Sequence, residues 1–364
     1  MTEPLIQPPV QRLRWRRSAL AFTISLLAGL GGETVARAET TADIAAPANA
    51  VLARLEGRKA ALARANEAVV GVEVMAVEDA RSILTLGRVR EGSGVVIGAD
   101  GLVLTIGYLI LEADHVDLVD SGGRHIPARV VAYDLASGFG LLQALAPLSL
   151  APAPLGSSAA VTGDEPLMIA SGGDDGDLSL ARMVSRRAFS GNWEYHIDGA
   201  LFTAPARRDH SGAGLFNAEG ELVGIGSLVV TDAAGGSAPK LRGNMFVPVD
   251  LLKPILAELR ARGASHASTR PWLGLNCDES FGHIRIIRLT PAGPAEDAGL
   301  EPGDLIMAID GTDVADLASF YKALWRDERA ERDVALDVRR GADSLRLTVR
   351  AVDRMNTLSR PQGV

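Results

Sequence analysis

From Ala68 onward this chain is built of short apolar runs, each closed by a turn signal. Val69-Val70-Gly71-Val72-Glu73-Val74 is β-branched and partly alternating. Gly94-Val95-Val96-Ile97 runs into Asp100-Gly101 and is answered by Leu102-Val103-Leu104-Thr105. Two apolar runs flanking Asp-Gly predict a hairpin, because both turn residues can take positive φ. His125 to Tyr133 is another strand, and Leu215-Phe216-Asn217 pairs with Glu221 to Gly226 across Ala218-Glu219-Gly220. Many of the 39 glycines fall between such runs. Repeated short strands at this spacing predict a barrel or sandwich rather than a helical protein.

The N-terminus is read separately. Arg12, Arg14, Arg16 and Arg17 form a basic region, Ala19 to Leu30 is apolar, and Ala36-Arg37-Ala38 is a small-x-small cleavage site. This order predicts a secretory signal peptide over residues 1–38, with an uncleaved anchor as the alternative. Arg16-Arg17 leaves a twin-arginine route open beside the general one. The chain carries a net charge of −8, and without the five arginines and two glutamates of the leader it carries −11. That balance argues against a nucleic-acid partner. Cys277 is the only cysteine among 364 residues, so an exported form has no internal disulfide. It reads as a small buried hydrophobe.

Residues 39–66 are rich in Ala, Leu, Glu and Arg, with Val51, Leu52, Leu55 and Leu62 at helical spacing. They predict a helical arm that either packs on the barrel or mediates oligomerisation. Residues 67–262 form the strand-rich domain. It closes on a helical stretch from Pro248 to Arg262, where Leu251, Leu252, Ile255, Leu256 and Leu259 make one stripe. Residues 263–270 are small and polar and read as a linker. A second domain over 271–353 alternates strands with helices near Pro294–Ala298 and Leu317–Arg326, and residues 354–364 read as a flexible tail.

Two sets of motifs resemble the HtrA/Deg family. Gly92-Ser93-Gly94-Val95-Val96-Ile97 with Asp100-Gly101 and Leu104-Thr105 is similar to the hairpin leading to that family's catalytic histidine. Ser211-Gly212-Ala213-Gly214-Leu215-Phe216-Asn217 resembles its nucleophile loop. Trp272-Leu273-Gly274-Leu275, Pro291 to Leu300 and Pro302-Gly303-Asp304-Leu305-Ile306 resemble a PDZ domain. The resemblance implies a mainly β protein: a chymotrypsin-like double β-barrel followed by one PDZ domain with two helices. Gly92-Ser93-Gly94 leads into a strand and not a helix, so it is no dinucleotide cradle.

A serine protease needs a hydroxyl nucleophile, an imidazole base, an orienting carboxylate and N–H donors for the oxyanion. Carried onto this sequence, the nucleophile position falls on Ser211. The base position falls on Tyr108, whose phenol has an ordinary pKa of about 10 and is a poor base at neutral pH. The carboxylate position falls on Gly138, with Asp134 at an earlier, non-catalytic position. Asp209 stands where the family has an oxyanion glycine, and its charge there opposes developing negative charge. His115, His125, His196 and His210 read as surface or core histidines.

The resemblance also implies that the PDZ loop Trp272-Leu273-Gly274-Leu275 holds a peptide carboxylate through its N–H groups, with Leu273 and Leu275 near the last side chain. The alternative is a PDZ domain that packs on the barrel and binds no free peptide. The expected protein is an exported, periplasmic pseudoprotease that binds peptide C-termini or unfolded envelope proteins as scaffold, sensor or regulator. It needs no cofactor and no metal. An active endopeptidase using Ser211 with another base, and a regulatory subunit of an active paralogue or a homo-oligomer, are the rival expectations.

Overall fold

A computed structural model describes residues 42–359, apart from positions 175, 237, 281 and 328. The leader expected over residues 1–38 lies outside the described residues, as do residues 360–364. Among the described residues no helix is long and apolar enough to cross a membrane.

Helix α1 spans Ala42–Glu67. Of its expected apolar stripe, Leu62 packs against the barrel core and Leu55 is exposed. Arg58 pairs with Glu219 at 2.8 Å.

The first barrel closes from β1 (Val69–Ala76), β2 (Val89–Val96), β3 (Leu102–Ile106), β4 (Ala113–Val119), β5 (His125–Tyr133) and β6 (Phe139–Ala144). The strand order is β1-β2-β3-β6-β5-β4. Single turns α2 (Ile83–Leu86) and α3 (Gly107–Ile110) interrupt it. The second barrel closes from β7 (Pro166–Ala170), β8 (Leu178–Gly191), β9 (Tyr195–Ala204), β10 (Gly214–Phe216), β11 (Leu222–Val230) and β12 (Gly243–Pro248), in the order β10-β11-β12-β9-β8-β7. Closure leaves neither sheet with a free edge. One apolar cluster runs through both barrels, from Val72, Leu104 and Phe139 to Phe202 and Phe216.

The helical stripe expected over Pro248 to Arg262 is broken. A 3-10 turn covers Val249–Leu251, and α4 begins only at Leu256 and ends at Arg262. Pro254 is the reason: it lacks an N–H and disfavours helical backbone at Lys253.

The last domain contains β13 (Pro271–Trp272), β14 (Leu275–Ser280), β15 (His283–Leu289), α5 (Pro294–Asp297), β16 (Leu305–Ile309), β17 (Thr312–Asp313), α6 (Leu317–Leu324), β18 (Arg332–Arg340) and β19 (Asp343–Asp353). Its sheet runs β13-β19-β18-β16-β15-β14, with β17 on β16. Helix α6 starts where the Asp316 side chain accepts from Ser319 N at 2.6 Å. Its residues Leu317, Phe320, Tyr321 and Leu324 recur at helical spacing and are all buried. They close a core with Leu273, Ile286, Leu336 and Cys277. Burial pushes the Cys277 thiol well above its ordinary pKa.

The linker is docked on the barrel. Asp134, fully buried, accepts from Ser265 N at 3.1 Å, Ser265 Oγ at 2.5 Å and Ser268 Oγ at 2.6 Å through one carboxylate oxygen. Its other oxygen accepts from Ser137 N at 2.9 Å and Ser137 Oγ at 2.5 Å. Arg270, also buried, donates to the Leu135 carbonyl and lies 3.6 Å over the Trp325 ring. The expected flexible tail likewise begins as a 3-10 turn over Arg354–Thr357, and Ser359 N donates to Glu112 on the first barrel at 2.9 Å.

Candidate functional site

Strand β3 delivers its last residues into α3, and the turn places the Tyr108 ring between the barrels. Ser211 lies on the loop before β10. The structure brings the two together: the Tyr108 hydroxyl is 2.7 Å from Ser211 Oγ and 2.9 Å from the Ser227 carbonyl oxygen. A phenol carries one proton, so it donates to only one of these oxygens at a time. Burial pushes the Tyr108 pKa up to about 12, against the smaller opposing effect of the Ser211 hydrogen bond. The group facing Ser211 Oγ is therefore a protonated phenol at neutral pH.

The loop itself is locked. Ser211 O accepts from Ser93 N at 2.8 Å, and Gly212 N donates to Gly226 O at 2.9 Å. Gly212 has φ +73°, and a Cβ there would stand 1.9 Å from Ser93 O, so only glycine fits.

Asp209 does not aim its charge at Ser211. Its carboxylate accepts from Arg207 Nε at 2.9 Å and also from Arg207 Nη2 and Ser171 Oγ. Burial acts to raise its pKa, but the Arg207 and Ser171 hydrogen bonds outweigh it and hold the carboxyl below the usual range. The Arg207 guanidinium offsets the negative charge that Asp209 was expected to bring to the site.

Gly138 has φ +82° and sits over Tyr195. A Cβ at Gly138 would lie 2.9 Å from the Tyr195 hydroxyl. That buried hydroxyl donates to Ser137 O at 2.6 Å. The space beside Gly138 is thus filled by a tyrosine from the second barrel. Gly107 N donates to Gly138 O at 2.7 Å and ties this loop to the turn that carries Tyr108. Arg90, buried, holds the same turn from below, with Nη1 2.6 Å from Leu111 O and 3.1 Å from Tyr108 O.

No histidine among the described residues hydrogen-bonds to Ser211. His210 Nδ1 faces Arg208 O at 2.8 Å, His196 Nδ1 faces Ser190 Oγ at 2.9 Å, and His115 faces Asp117 at 3.0 Å. His125 lies 3.6 Å from Glu73. Among the described residues no group of His, Cys, Asp and Glu could hold a metal ion. Replacing Tyr108 with phenylalanine is expected to lower stability by about 1–2 kcal/mol, the cost of leaving a buried partner unpaired, measured by urea unfolding.

The second expected site is the loop at the head of β14. Trp272 belongs to β13 and pairs with Val352, so it is not one of the donors that the motif suggested. Leu273, Gly274 and Leu275 do converge their N–H groups, with Gly274 at φ +84° making the curl. All three point at one carboxylate of this same chain, that of Glu194. Gly274 N is 2.7 Å and Leu275 N 2.8 Å from Oε1, and Leu273 N is 3.0 Å from Oε2. Glu194 sits at the tip of the β8–β9 hairpin and is buried. Burial pushes its pKa up, while the three N–H groups and Arg354 act the other way. Sequence reasoning singled out the neighbouring His196 and not Glu194. A signal existed: Trp193-Glu194-Tyr195 sets one acid between two aromatics at a short hairpin tip.

The fold and these sites define a trypsin-like peptidase domain followed by a PDZ domain. Residues 92–225 match the trypsin-like peptidase domain family, and residues 271–351 match the PDZ domain family. A probable periplasmic serine endoprotease, DegP-like, from Ectopseudomonas mendocina (strain ymp) is 30% identical over 272 residues, covering 69% of this chain. The chain spans 56% of that relative's length. Serine protease PepD of Mycobacterium tuberculosis (strain ATCC 25618 / H37Rv) is 28% identical over 343 residues, 85% of this chain and 72% of the relative. Among solved structures, the HtrA-type protease AlgW with tripeptide aligns with a TM-score of 0.51 at 21% identity, covering 84% of this chain and 99% of that one. The two domain matches show a trypsin-like peptidase domain followed by a PDZ domain, and the solved structure shows the same fold.

Proposed function

We propose that this chain is an exported, non-catalytic HtrA-like protein that binds peptide C-termini or unfolded envelope polypeptides through its PDZ domain. It would act as a scaffold, sensor or regulator. The observation that carries the non-catalytic reading is the partner of Ser211: a buried phenol at 2.7 Å whose pKa is pushed to about 12. A nucleophilic hydroxyl needs a base poised near the operating pH, and this group holds its own proton there. Gly138 offers no side chain to orient a base. Peptide binding is supported by the convergent N–H groups of Leu273, Gly274 and Leu275 and by an HtrA-type relative solved with a tripeptide. The periplasmic reading is supported by the names of the DegP-like relatives.

The test is incubation of the purified chain from residue 39 with unfolded casein and with a serine-reactive phosphonate. Neither cleavage nor labelling is expected above the level of Ser211→Ala. Cleavage or labelling that disappears in Ser211→Ala would overturn the reading and restore the endopeptidase expectation.

A further inference from the structure

We infer that the tip of the β8–β9 hairpin is an internal ligand of the PDZ groove, with the Glu194 carboxylate standing in for a peptide C-terminus. This inference rests on the reading that the groove takes carboxylates and adds how that groove is controlled.

Four observations converge on it. First, all three N–H groups of the carboxylate loop are used by Glu194, at 2.7–3.0 Å. Two of the three contacts, from Gly274 and Leu275, meet on one oxygen, as an oxyanion in a backbone nest does. Second, the hairpin tip also contributes a strand-like bond. Cys277 N, two residues further along β14, donates to Asn192 O at 2.9 Å. A peptide adding itself to a PDZ sheet pairs with the same edge through alternate residues. Third, the helix on the other side of the groove closes over the tip. Tyr321 of α6 donates to Gly191 O at 2.7 Å and accepts from Glu194 N at 3.2 Å. Fourth, Glu194 takes φ +57° to reach the loop, a conformation that disfavours a side chain with a Cβ. The tip therefore fills the carboxylate loop, the strand edge and the helix face at once.

An external peptide must displace this tip before it can use the same three donors. Its apparent affinity is reduced by the fraction of molecules in which the groove is open. Displacement also reaches the first site. Glu194 is followed by Tyr195, whose hydroxyl holds Ser137 O next to Gly138. A ligand in the groove thereby pulls on the segment whose Gly138 O accepts from Gly107 N, the residue before Tyr108.

The experiment uses the chain from residue 39 as wild type, Glu194→Gln and Glu194→Ala, each first checked for a cooperative melt. Backbone amide exchange at residues 273–277 is read by mass spectrometry. Exchange is expected to be at least tenfold faster in Glu194→Ala, where the loop N–H groups lose their acceptor, and faster by a smaller factor in Glu194→Gln, whose single amide oxygen accepts without the negative charge. In parallel, a fluorescein-labelled heptapeptide library with free C-terminal carboxylates is titrated by anisotropy, with its C-terminal amide form as control. The carboxylate form is expected to bind the variants at least tenfold more tightly than the wild type, and the amide form neither. Unchanged exchange in both variants overturns the internal ligand, whether or not peptides bind. Faster exchange with no peptide bound by any form leaves the internal ligand standing and removes the peptide-binding reading instead. Should the alanine and glutamine variants fail to fold, Glu194→Asp, one methylene shorter, must show the same direction of change. Equal exchange in that variant overturns the proposal.

Discussion

Replacing Asp134 with alanine is expected to destabilise this protein by roughly 3–5 kcal/mol, the range for removing one member of a buried charged network. The carboxylate accepts five hydrogen bonds from three serines, two of them in the segment between the domains. Its loss leaves the buried N–H groups of Ser137 and Ser265 without an acceptor. The effect carries a pH signature. Burial acts to raise the Asp134 pKa, but the Ser137, Ser265 and Ser268 hydrogen bonds outweigh it and hold the carboxyl below its ordinary value. The folded pKa is thus below the unfolded one, about 3.9. The contribution is fully present above the unfolded pKa and is lost as the pH falls through the folded one. Urea unfolding from pH 6 down to pH 2.5 should show a stability loss below about pH 4 that Asp134→Asn largely lacks. An alanine variant within 0.5 kcal/mol of wild type, about the scatter of neutral surface changes, would show that the network contributes nothing net.

The second large effect concerns rebuilding the peptidase. The triple variant Tyr108→His, Gly138→Asp, Asp209→Gly supplies a base, an orienting carboxylate and an oxyanion glycine by the family pattern. It is nevertheless expected to show no casein cleavage above background and to be destabilised by about 2–4 kcal/mol. The destabilisation combines overpacking with positive-φ strain. The cause is Tyr195: a Cβ at Gly138 would meet its hydroxyl at 2.9 Å, and φ there is +82°. Adding Tyr195→Phe, which removes the hydroxyl at 2.9 Å but keeps the ring in the core, should recover part of the stability lost to the clash. Efficient turnover by the triple variant with Tyr195 intact would show that the two side chains can coexist.

The barrels and the PDZ domain were legible in the sequence because their signals are local. Asp100-Gly101 between apolar runs predicts the β2–β3 hairpin, and the spacing of Leu317, Phe320, Tyr321 and Leu324 predicts α6. Ser211 and Tyr108 were locatable from their motifs, and the structure sets them 2.7 Å apart. What was illegible joins residues far apart in the chain. Glu194 meets Gly274 eighty positions away, and Tyr195 reaches back to Ser137. No periodicity encodes such pairings, since a hairpin tip can point an acid into solvent or into a neighbour with the same local sequence. Arg207 and Asp209 are close in sequence, yet only the loop geometry turns the carboxylate toward the guanidinium. The helix expected from Pro248 failed for a local reason, Pro254, that its apolar stripe concealed.

The attachment of the PDZ domain limits how it can move. The chain enters it through residues 265–270, fastened to Asp134 and Leu135, and leaves it at Ser359, fastened to Glu112 on the same first barrel. A domain fastened at one end can pivot in any direction. A domain fastened at two separate points keeps one easy rotation, about the line joining them. With both fastenings intact, freeing the groove from the β8–β9 tip must then be a swing about that single axis, more like a gate on two hinges than a weight on a cord.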